Sequence, residues 1–254
     1  VVFDELSPDA RYIIGGTFGD GKYVAIDLET SKETVLEEKG PWDLDDAVVN
    51  NDFHWYGDKL VIVGQWSDAV VIGRFNPSDL SMIWHLDVED RTGLGLVGLA
   101  SSHATESMPL VVERRSYNDE NDETTIFLER LDMETGTVTK TSSPIIVSGY
   151  DRDRLNGLEA SPQGDTAFLV VPTGEDTTTI YRFDMASLEP LDPITVPVPN
   201  SYYSNVYYNH IQPTNVRITH SGRYGVILSD QWDVLDDPIA FIVVDFSNGT
   251  HRTL

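Results

Sequence analysis

Residues 181–187 read Tyr-Arg-Phe-Asp-Met-Ala-Ser, an apolar β-rich run that ends in Asp, followed by an apolar residue and a short polar turn. Four further copies of this pattern occur at Val24–Thr30, Ile72–Ser78, Leu128–Gly136 and Val243–Gly249. The Asp or Asn of each copy falls at position 27, 76, 132, 184 or 245, at intervals of 49, 56, 52 and 61 residues. Self-similarity at a period near fifty residues indicates a repeat architecture.

A second landmark precedes each copy: a turn rich in Ser, Pro, Asp or Gly, followed by an apolar strand. Ser7–Arg11 and Ser161–Asp165 are two clear examples, and residues 103–107 form a degenerate one. Each unit therefore supplies four short strands with turns between them, the pattern of a propeller blade. We predict an all-β fold, a five-bladed β-propeller of four-stranded antiparallel blades that occupies residues 1–254 as one domain. The predicted blades cover roughly residues 1–40, 41–90, 91–147, 148–198 and 199–254.

The first strand of the chain begins a unit and the last strand ends one, so the blades run in phase with the chain. Closure of the ring would then lack a strand exchange between the first and last blades. We expect closure to depend on packing between sheet faces, or on segments beyond these residues.

The charge of the chain limits its partners. Lys and Arg total 17 against 42 Asp and Glu, which gives a formal net charge of −25. A polyphosphate backbone would be repelled, so nucleic acid is excluded as an expected partner. Such a balance suits a halophilic protein exposed to high salt, and equally an ordinary acidic secreted protein.

The absence of cysteine excludes disulfides, thiolate catalysis and zinc held by Cys. The apolar runs are too short for membrane insertion by this domain. The pattern Asn248-Gly249-Thr250 matches an N-glycosylation acceptor. We predict a domain of an exported or cell-surface protein, located extracellularly, at the cell surface or in the periplasm, and leave open whether it is part of a longer chain.

The loops expected between the second and third strands of the blades are residues 18–21, 65–68, 116–124, 172–177 and 230–233. Aromatic side chains in these loops and in those between blades are candidates for ligand binding. Blades two and five share a Gln-Trp pair, and an indole in an exposed loop usually meets a partner. A third Trp and a Tyr-rich insertion lie between blades, in a composition typical of surfaces that bind glycans or proteins. The alternative is that these rings pack on their own blades. The candidate residues are Trp42, Gln65, Trp66, Tyr202, Tyr203, Tyr207, Tyr208, Gln231 and Trp232.

Dense carboxylates provide candidate ligands for Ca²⁺. Asp43, Asp45 and Asp46 lie close together, and hard oxygen ligands suit calcium. Their spacing does not match an EF-hand loop. The alternative is that these acidic side chains are simply solvated.

The turn followed by an apolar strand resembles the β-propeller repeats of YVTN-type surface proteins, TolB-like periplasmic proteins and WD-repeat proteins, over almost the whole chain. Residues 156–170 (NGLEASPQGDTAFLV) are similar to one segment of the gluconolactonase and strictosidine-synthase-like propellers. That resemblance spans one blade and implies that Asn156 ligates a central divalent metal ion.

Two functions follow from these patterns. The first is a non-catalytic recognition or assembly domain that binds a glycan or a surface protein through its loop-rich face. The alternative is a metal-dependent hydrolase of lactonase or glycosidase type, with its site at the central channel. Glycosidase chemistry needs two carboxylates about 5 to 10 Å apart. Asp4, Asp46, Asp52 and Glu159 lie on or beside the expected innermost strands.

Overall fold

The computed structural model describes residues 2–16, 23–36, 50–56, 58–65, 70–88, 109–118, 120–121, 123–148, 157–174, 177–197, 216–228 and 241–253. These residues form twenty β-strands in five four-stranded antiparallel sheets. Alternation of apolar and polar residues explains why they form strands. In Glu123–Leu131, for example, Thr124, Ile126 and Leu128 are buried, whereas the residues between them are partly exposed.

The strands follow chain order within the sheets. Sheet 1 comprises β1 (Val2–Leu6), β2 (Tyr12–Gly16), β3 (Tyr23–Asp27) and β4 (Lys32–Leu36). Sheet 2 comprises β5 (Asn50–Tyr56), β6 (Lys59–Gln65), β7 (Val70–Phe75) and β8 (Met82–Val88). Sheet 3 comprises β9 (Leu110–Asn118), β10 (Glu123–Leu131), β11 (Val138–Thr141) and β12 (Ile145–Ser148). Sheet 4 comprises β13 (Gly157–Ala160), β14 (Thr166–Gly174), β15 (Thr177–Asp184) and β16 (Pro190–Pro197). Sheet 5 comprises β17 (Val216–Ile218), β18 (Tyr224–Leu228), β19 (Phe241–Asp245) and β20 (Thr250–Thr253).

Sheet 3 departs from the regular order. Both β11 and β12 pair with the same edge of β10, so they are two pieces of one interrupted outer strand. By its register with β10, β9 takes the place that the second strand has in the other sheets. The interruption is Ser142-Ser143-Pro144, where Pro144 has no N–H to donate. The Ser142 hydroxyl accepts a hydrogen bond from the Leu128 N–H at 3.0 Å. The degenerate turn predicted at residues 103–107 lies outside the described residues.

The turn that follows the Asp or Asn landmark has one conformation in all five sheets. Its first side chain caps the turn: Asp132 Oδ1 accepts the N–H groups of Glu134 and Thr135 at 3.0 and 2.8 Å. The fifth residue of each turn has a positive φ of 52–71°. These fifth residues are Ser31, Leu80, Gly136, Leu188 and Gly249.

The turn between the first and second strands is also locked by a side chain. In sheet 4, the Ser161 hydroxyl accepts the N–H groups of Asp165 and Thr166, both at 3.1 Å. Ser7 makes the equivalent bonds in sheet 1, and Thr219 bonds the Tyr224 N–H in sheet 5. The two kinds of turn lie at one end of the sheets, here called the turn end. The opposite end, which has the loops between second and third strands and those between sheets, is called the loop end.

Apolar clusters bury the faces between successive sheets. One joins sheets 1 and 2, a second joins sheets 2, 3 and 4, and a third joins sheets 4 and 5. First strands of neighbouring sheets also touch, β1 with β5 and β13 with β17. Within the described part of the chain, sheets 1 and 5 share no strand. Nothing in that part forms a helix with the length and hydropathy to span a bilayer.

Candidate recognition surface

Of the predicted recognition residues, the structure describes Gln65, which lies at the loop end. Gln65 is the last residue of β6, where it pairs with Asn50 and Val70. Trp66 is the next residue in the sequence. Apart from Gln65, the predicted binding residues lie outside the described residues, so their side-chain roles remain predictions.

The predicted metal ligands, Asp43, Asp45, Asp46 and Asn156, also lie outside the described residues. Among the residues that the structure does describe, no three His, Asp or Glu side chains gather as a metal site would require. The calcium prediction therefore remains a prediction.

The candidate channel carboxylates are only partly described. Asp4 and Asp52 are placed in the first strands β1 and β5, and Asp46 lies outside the described residues. Glu159 in β13 is buried and forms an ion pair with Arg217 of β17 at 3.5 Å. On β5, burial lowers the pKa of His54 to about 4, so this imidazole is neutral at pH 7.

Two loops predicted from the sequence are shorter in the structure. Residues 116–124 were expected to connect second and third strands, but β9 continues to Asn118 and β10 begins at Glu123. Likewise, β14 continues to Gly174 and β15 begins at Thr177, which leaves two residues of the predicted 172–177 loop. The loops were predicted from their polar composition. In the structure, polar residues near the tips of these long hairpins still form backbone hydrogen bonds between the strands, so the strands extend further than predicted.

An exposed patch lies on sheet 3 at the loop end. Ile146 is 59% exposed, the highest value for a large apolar side chain among the described residues. Registers place Phe127 and Arg114 opposite each other, and Ile146 opposite Thr125, so all four share one face. The Arg114 guanidinium lies 5.4 Å from the Phe127 ring centroid and pairs with the Glu129 carboxylate at 2.9 Å. We call Arg114, Thr125, Phe127 and Ile146 the sheet 3 patch.

Arginines at the turn end connect successive sheets. Each lies two residues before the landmark Asp or Asn and donates to a backbone carbonyl in the turn of the following sheet. Arg74 donates to the Met133 carbonyl at 3.0 Å, and Arg182 donates to the Phe246 carbonyl at 2.9 Å. Arg130 donates to the Ala186 carbonyl in the same way. We call these three contacts the arginine bridges.

Glu134 strengthens the bridge between sheets 2 and 3. Its carboxylate pairs with Arg74 at 2.6 Å and with Lys59 at 2.9 Å. The hydrogen bond from Arg74, followed by that from Lys59, lowers the pKa of Glu134 to about 2. Trp84 packs beside them, and its indole N–H donates to the Met133 carbonyl at 2.8 Å. The turn of sheet 3 is therefore held by three side chains of sheet 2.

Ion pairs also join the two turns of a single sheet. Arg11 pairs with Asp27 at 3.1 Å in sheet 1, and Arg223 pairs with Asp245 at 2.9 Å in sheet 5. The hydrogen bond from Arg223, together with one from Ser247, lowers the pKa of Asp245. These pairs and the bridges were not predicted from the sequence. Their signal was present in the repeats, since Arg precedes the landmark by two residues at positions 74, 130 and 182.

Comparison with known proteins reveals the fold. No family model matches the chain, and no curated protein matches it significantly. Among solved structures, Kluyveromyces lactis Hsv2 matches with a TM-score of 0.55 and 16% identity, over 92% of this chain and 57% of that chain. TolB from Acinetobacter baumannii matches with a TM-score of 0.53 and 13% identity, over 98% of this chain and 52% of that chain. The Dos1 propeller matches with a TM-score of 0.53 and 9% identity, over 98% of this chain and 65% of that chain.

At these identities the likeness shows the fold alone. The chain spans a little more than half the length of Hsv2 and TolB. Its five four-stranded antiparallel sheets fit five blades, and the predicted propeller repeat is confirmed. The chain has a β-propeller fold.

Proposed function

We propose that this chain is a non-catalytic recognition domain whose five sheets form one five-bladed ring and whose loop end binds a partner protein or a glycan. The observation that carries the proposal is the sheet 3 patch at the loop end. Aromatic residues and Arg are enriched at protein interfaces and account for many of their energetically dominant contacts. The patch combines both with an exposed aliphatic side chain.

The turn end supports the same assignment because many of its polar side chains are engaged within the protein. Turn caps, ion pairs and arginine bridges use its Asp, Ser and Arg side chains within the protein. A scaffold fixed at one end holds the loops of the other end in place, and binding residues are commonly found on loops held in this way. Trp42, Trp66, Trp232 and the tyrosines of residues 202–208 would extend the sheet 3 patch into a larger surface.

The proposal includes the cellular location of the domain. An exported domain would meet glycans and surface proteins directly, and a net charge of −25 favours solubility in salt. Export, salt adaptation and calcium binding belong to this proposal and await their own measurements.

The sheet 3 outer strand offers a matched pair of substitutions. Ile146 on β12 lies at the loop end, whereas Val138 on β11 lies at the turn end and is 43% exposed. Ile146→Glu should lower retention on extracellular proteins or glycans of the source organism at least tenfold. Val138→Glu adds the same charge to the same strand and should leave retention unchanged. Equal retention by both variants and the parent protein would refute the role of the patch.

A further inference from the structure

The two end faces of the sheet series differ from every face between sheets. We call the face of a sheet that meets the following sheet its forward face, and the face that meets the preceding sheet its rear face. The repeats place equivalent residues at equivalent positions, so the burial of each face can be compared directly. The rear face of sheet 1 and the forward face of sheet 5 are the two end faces.

At the turn end, the rear faces of sheets 2 to 5 are closed. The residue before the landmark Asp or Asn points to the rear and is at most 3% exposed in these sheets. Those residues are Phe75, Leu131, Phe183 and Val244. The equivalent residue of sheet 1, Ile26, is partly exposed, and so is its cross-strand neighbour Ile13. At the turn end, the rear face of sheet 1 therefore retains apolar surface that its counterparts bury, whereas Val24, further along the same face, is buried.

Forward faces show the same contrast. The second-strand residue that lies opposite the arginine-bridge position is at most 2% exposed in sheets 1 to 4. These residues are Ile14, Val61, Val111 and Phe168. In sheet 5 the equivalent residue, Val226, is partly exposed. Its neighbour Val243 occupies the arginine-bridge position and is also partly exposed.

The first residue after the landmark is buried or partly buried where a preceding sheet covers it and is exposed in sheet 1. In sheet 5, Phe246 is 8% exposed because its ring stacks on Phe168 of sheet 4, with centroids 4.5 Å apart. In sheet 4, Met185 is fully buried. The equivalent residue of sheet 1 is Leu28, which is 47% exposed. Leu28 is equivalent to Phe246, and Val226 of sheet 5 is equivalent to Phe168 of sheet 4. If sheet 5 packs on sheet 1 as sheet 4 packs on sheet 5, Leu28 contacts Val226.

Charge on the end faces is complementary. Glu29 of sheet 1 is the counterpart of Glu134, which receives Arg74 and Lys59 from the preceding sheet. Glu33 lies opposite Ile26 on the rear face of sheet 1. Sheet 5 carries Arg252 beside Val243, the position that Trp84 occupies in sheet 2. Basic residues are scarce in this chain, with 17 against 42 acidic ones, so Arg252 on the end face of sheet 5 supports charge complementarity with Glu29 and Glu33.

We propose that the forward face of sheet 5 docks on the rear face of sheet 1 of the same chain, with Val226 against Leu28 and Arg252 beside Glu29. This interface closes the ring by face packing without strand exchange. Burial of apolar surface on both faces stabilises it, because a sheet face with apolar residues is stable only when another element covers it. The proposal depends on the five-bladed ring proposed above and not on the recognition role.

Cross-linking tests the interface directly. The chain contains no cysteine, so the thiols of Leu28→Cys and Val226→Cys would be its sole targets for a short bis-maleimide. Both positions are at least partly exposed, so the substitutions should not disturb folding. We expect monomeric, internally cross-linked protein whose yield does not change with protein concentration. The control pair Leu28→Cys and Val138→Cys, on sheets 1 and 3, should give no internal cross-link.

Two results would overturn the proposal. One is a cross-link that forms between molecules and increases with concentration, which would make a second copy the occupant. The other is no cross-link although each single-cysteine variant reacts fully with a monofunctional maleimide. Neither result depends on a ligand. Failure of the interface is therefore distinguishable from failure of the recognition proposal, which the Ile146→Glu variant tests.

Discussion

At the scale of single residues, the turn that begins at each landmark Asp or Asn requires a positive φ at its fifth residue. Gly occupies it in sheets 3 and 5, but Ser31, Leu80 and Leu188 occupy it elsewhere. An L-residue at this position pays a cost in backbone strain that the surrounding turn tolerates. At Gly136 the space is also occupied, since an added Cβ would lie 2.6 Å from Trp84 Cε3.

Gly136→Ala and Gly249→Ala separate strain from packing. Both residues have a φ near +70°, but an added Cβ at Gly249 would be 4.0 Å from its nearest neighbour. We expect Gly249→Ala to lower the free energy of unfolding by about 1 kcal/mol through strain alone. Gly136→Ala should cost about 1–3 kcal/mol more because Trp84 must move. Equal losses in chemical denaturation would contradict the packing of Trp84 on Gly136.

Glu134 provides a pH-dependent prediction. Its pKa is lowered from an ordinary value of 4.5 to about 2, so its ion pairs stabilise the fold fully above pH 4.5. That stabilisation is lost as the pH falls from 4.5 through 2, because protonation removes the charge. Glu134→Gln should lower the melting temperature slightly at pH 7, and the difference from the parent protein should vanish near pH 2. Glu120→Gln, at another exposed acidic position, is the control and should show no such trend.

At the scale of elements, the arginine bridges set the spacing between sheets. Arg182 donates to the Phe246 carbonyl of sheet 5 and also to the Asp192 carbonyl of its own sheet, at 2.9 and 2.7 Å from Nε and Nη2. Arg182→Ala should lower the free energy of unfolding by about 1–3 kcal/mol, because it removes charge-assisted hydrogen bonds. Arg182→Lys keeps the charge without the planar fork and should recover only part of the loss. Full recovery in denaturant unfolding would show that charge alone matters.

Much of each element was predictable because the repeats contain local signals. The landmark Asp with its polar turn specified the third and fourth strands, as at Asp132 and Asp184. Contacts between repeats were harder to predict, since Arg74 and Met133 lie 59 positions apart in the chain. The interrupted strand of sheet 3 was missed for a related reason: the effect of Pro144 depends on which edge of β10 it meets. The predicted binding residues beyond Gln65 lie outside the described residues, so the site remains a prediction from composition.

At the scale of the whole molecule, net charge should govern stability. A charge of −25 repels itself in the folded state, and added salt screens that repulsion. We expect the melting temperature to rise with sodium chloride concentration. If Asp43, Asp45, Asp46 and Asn156 hold calcium, micromolar Ca²⁺ should raise it further at constant ionic strength, and a chelator should reverse the rise. Identical effects of Ca²⁺ and Na⁺ on the melting temperature at matched ionic strength would contradict a specific calcium site and would indicate that these carboxylates are solvated.

The recognition role is the central claim, and the tryptophans of the loop end test it most directly. The measurement compares retention of the parent protein, of the Trp66→Ala/Trp232→Ala double variant and of Glu134→Gln on the same panel of extracellular glycans and proteins. The account predicts that the double variant loses retention at an unchanged melting temperature, whereas Glu134→Gln, altered at the turn end, binds as the parent does. Retention by the double variant equal to that of the parent would contradict the account.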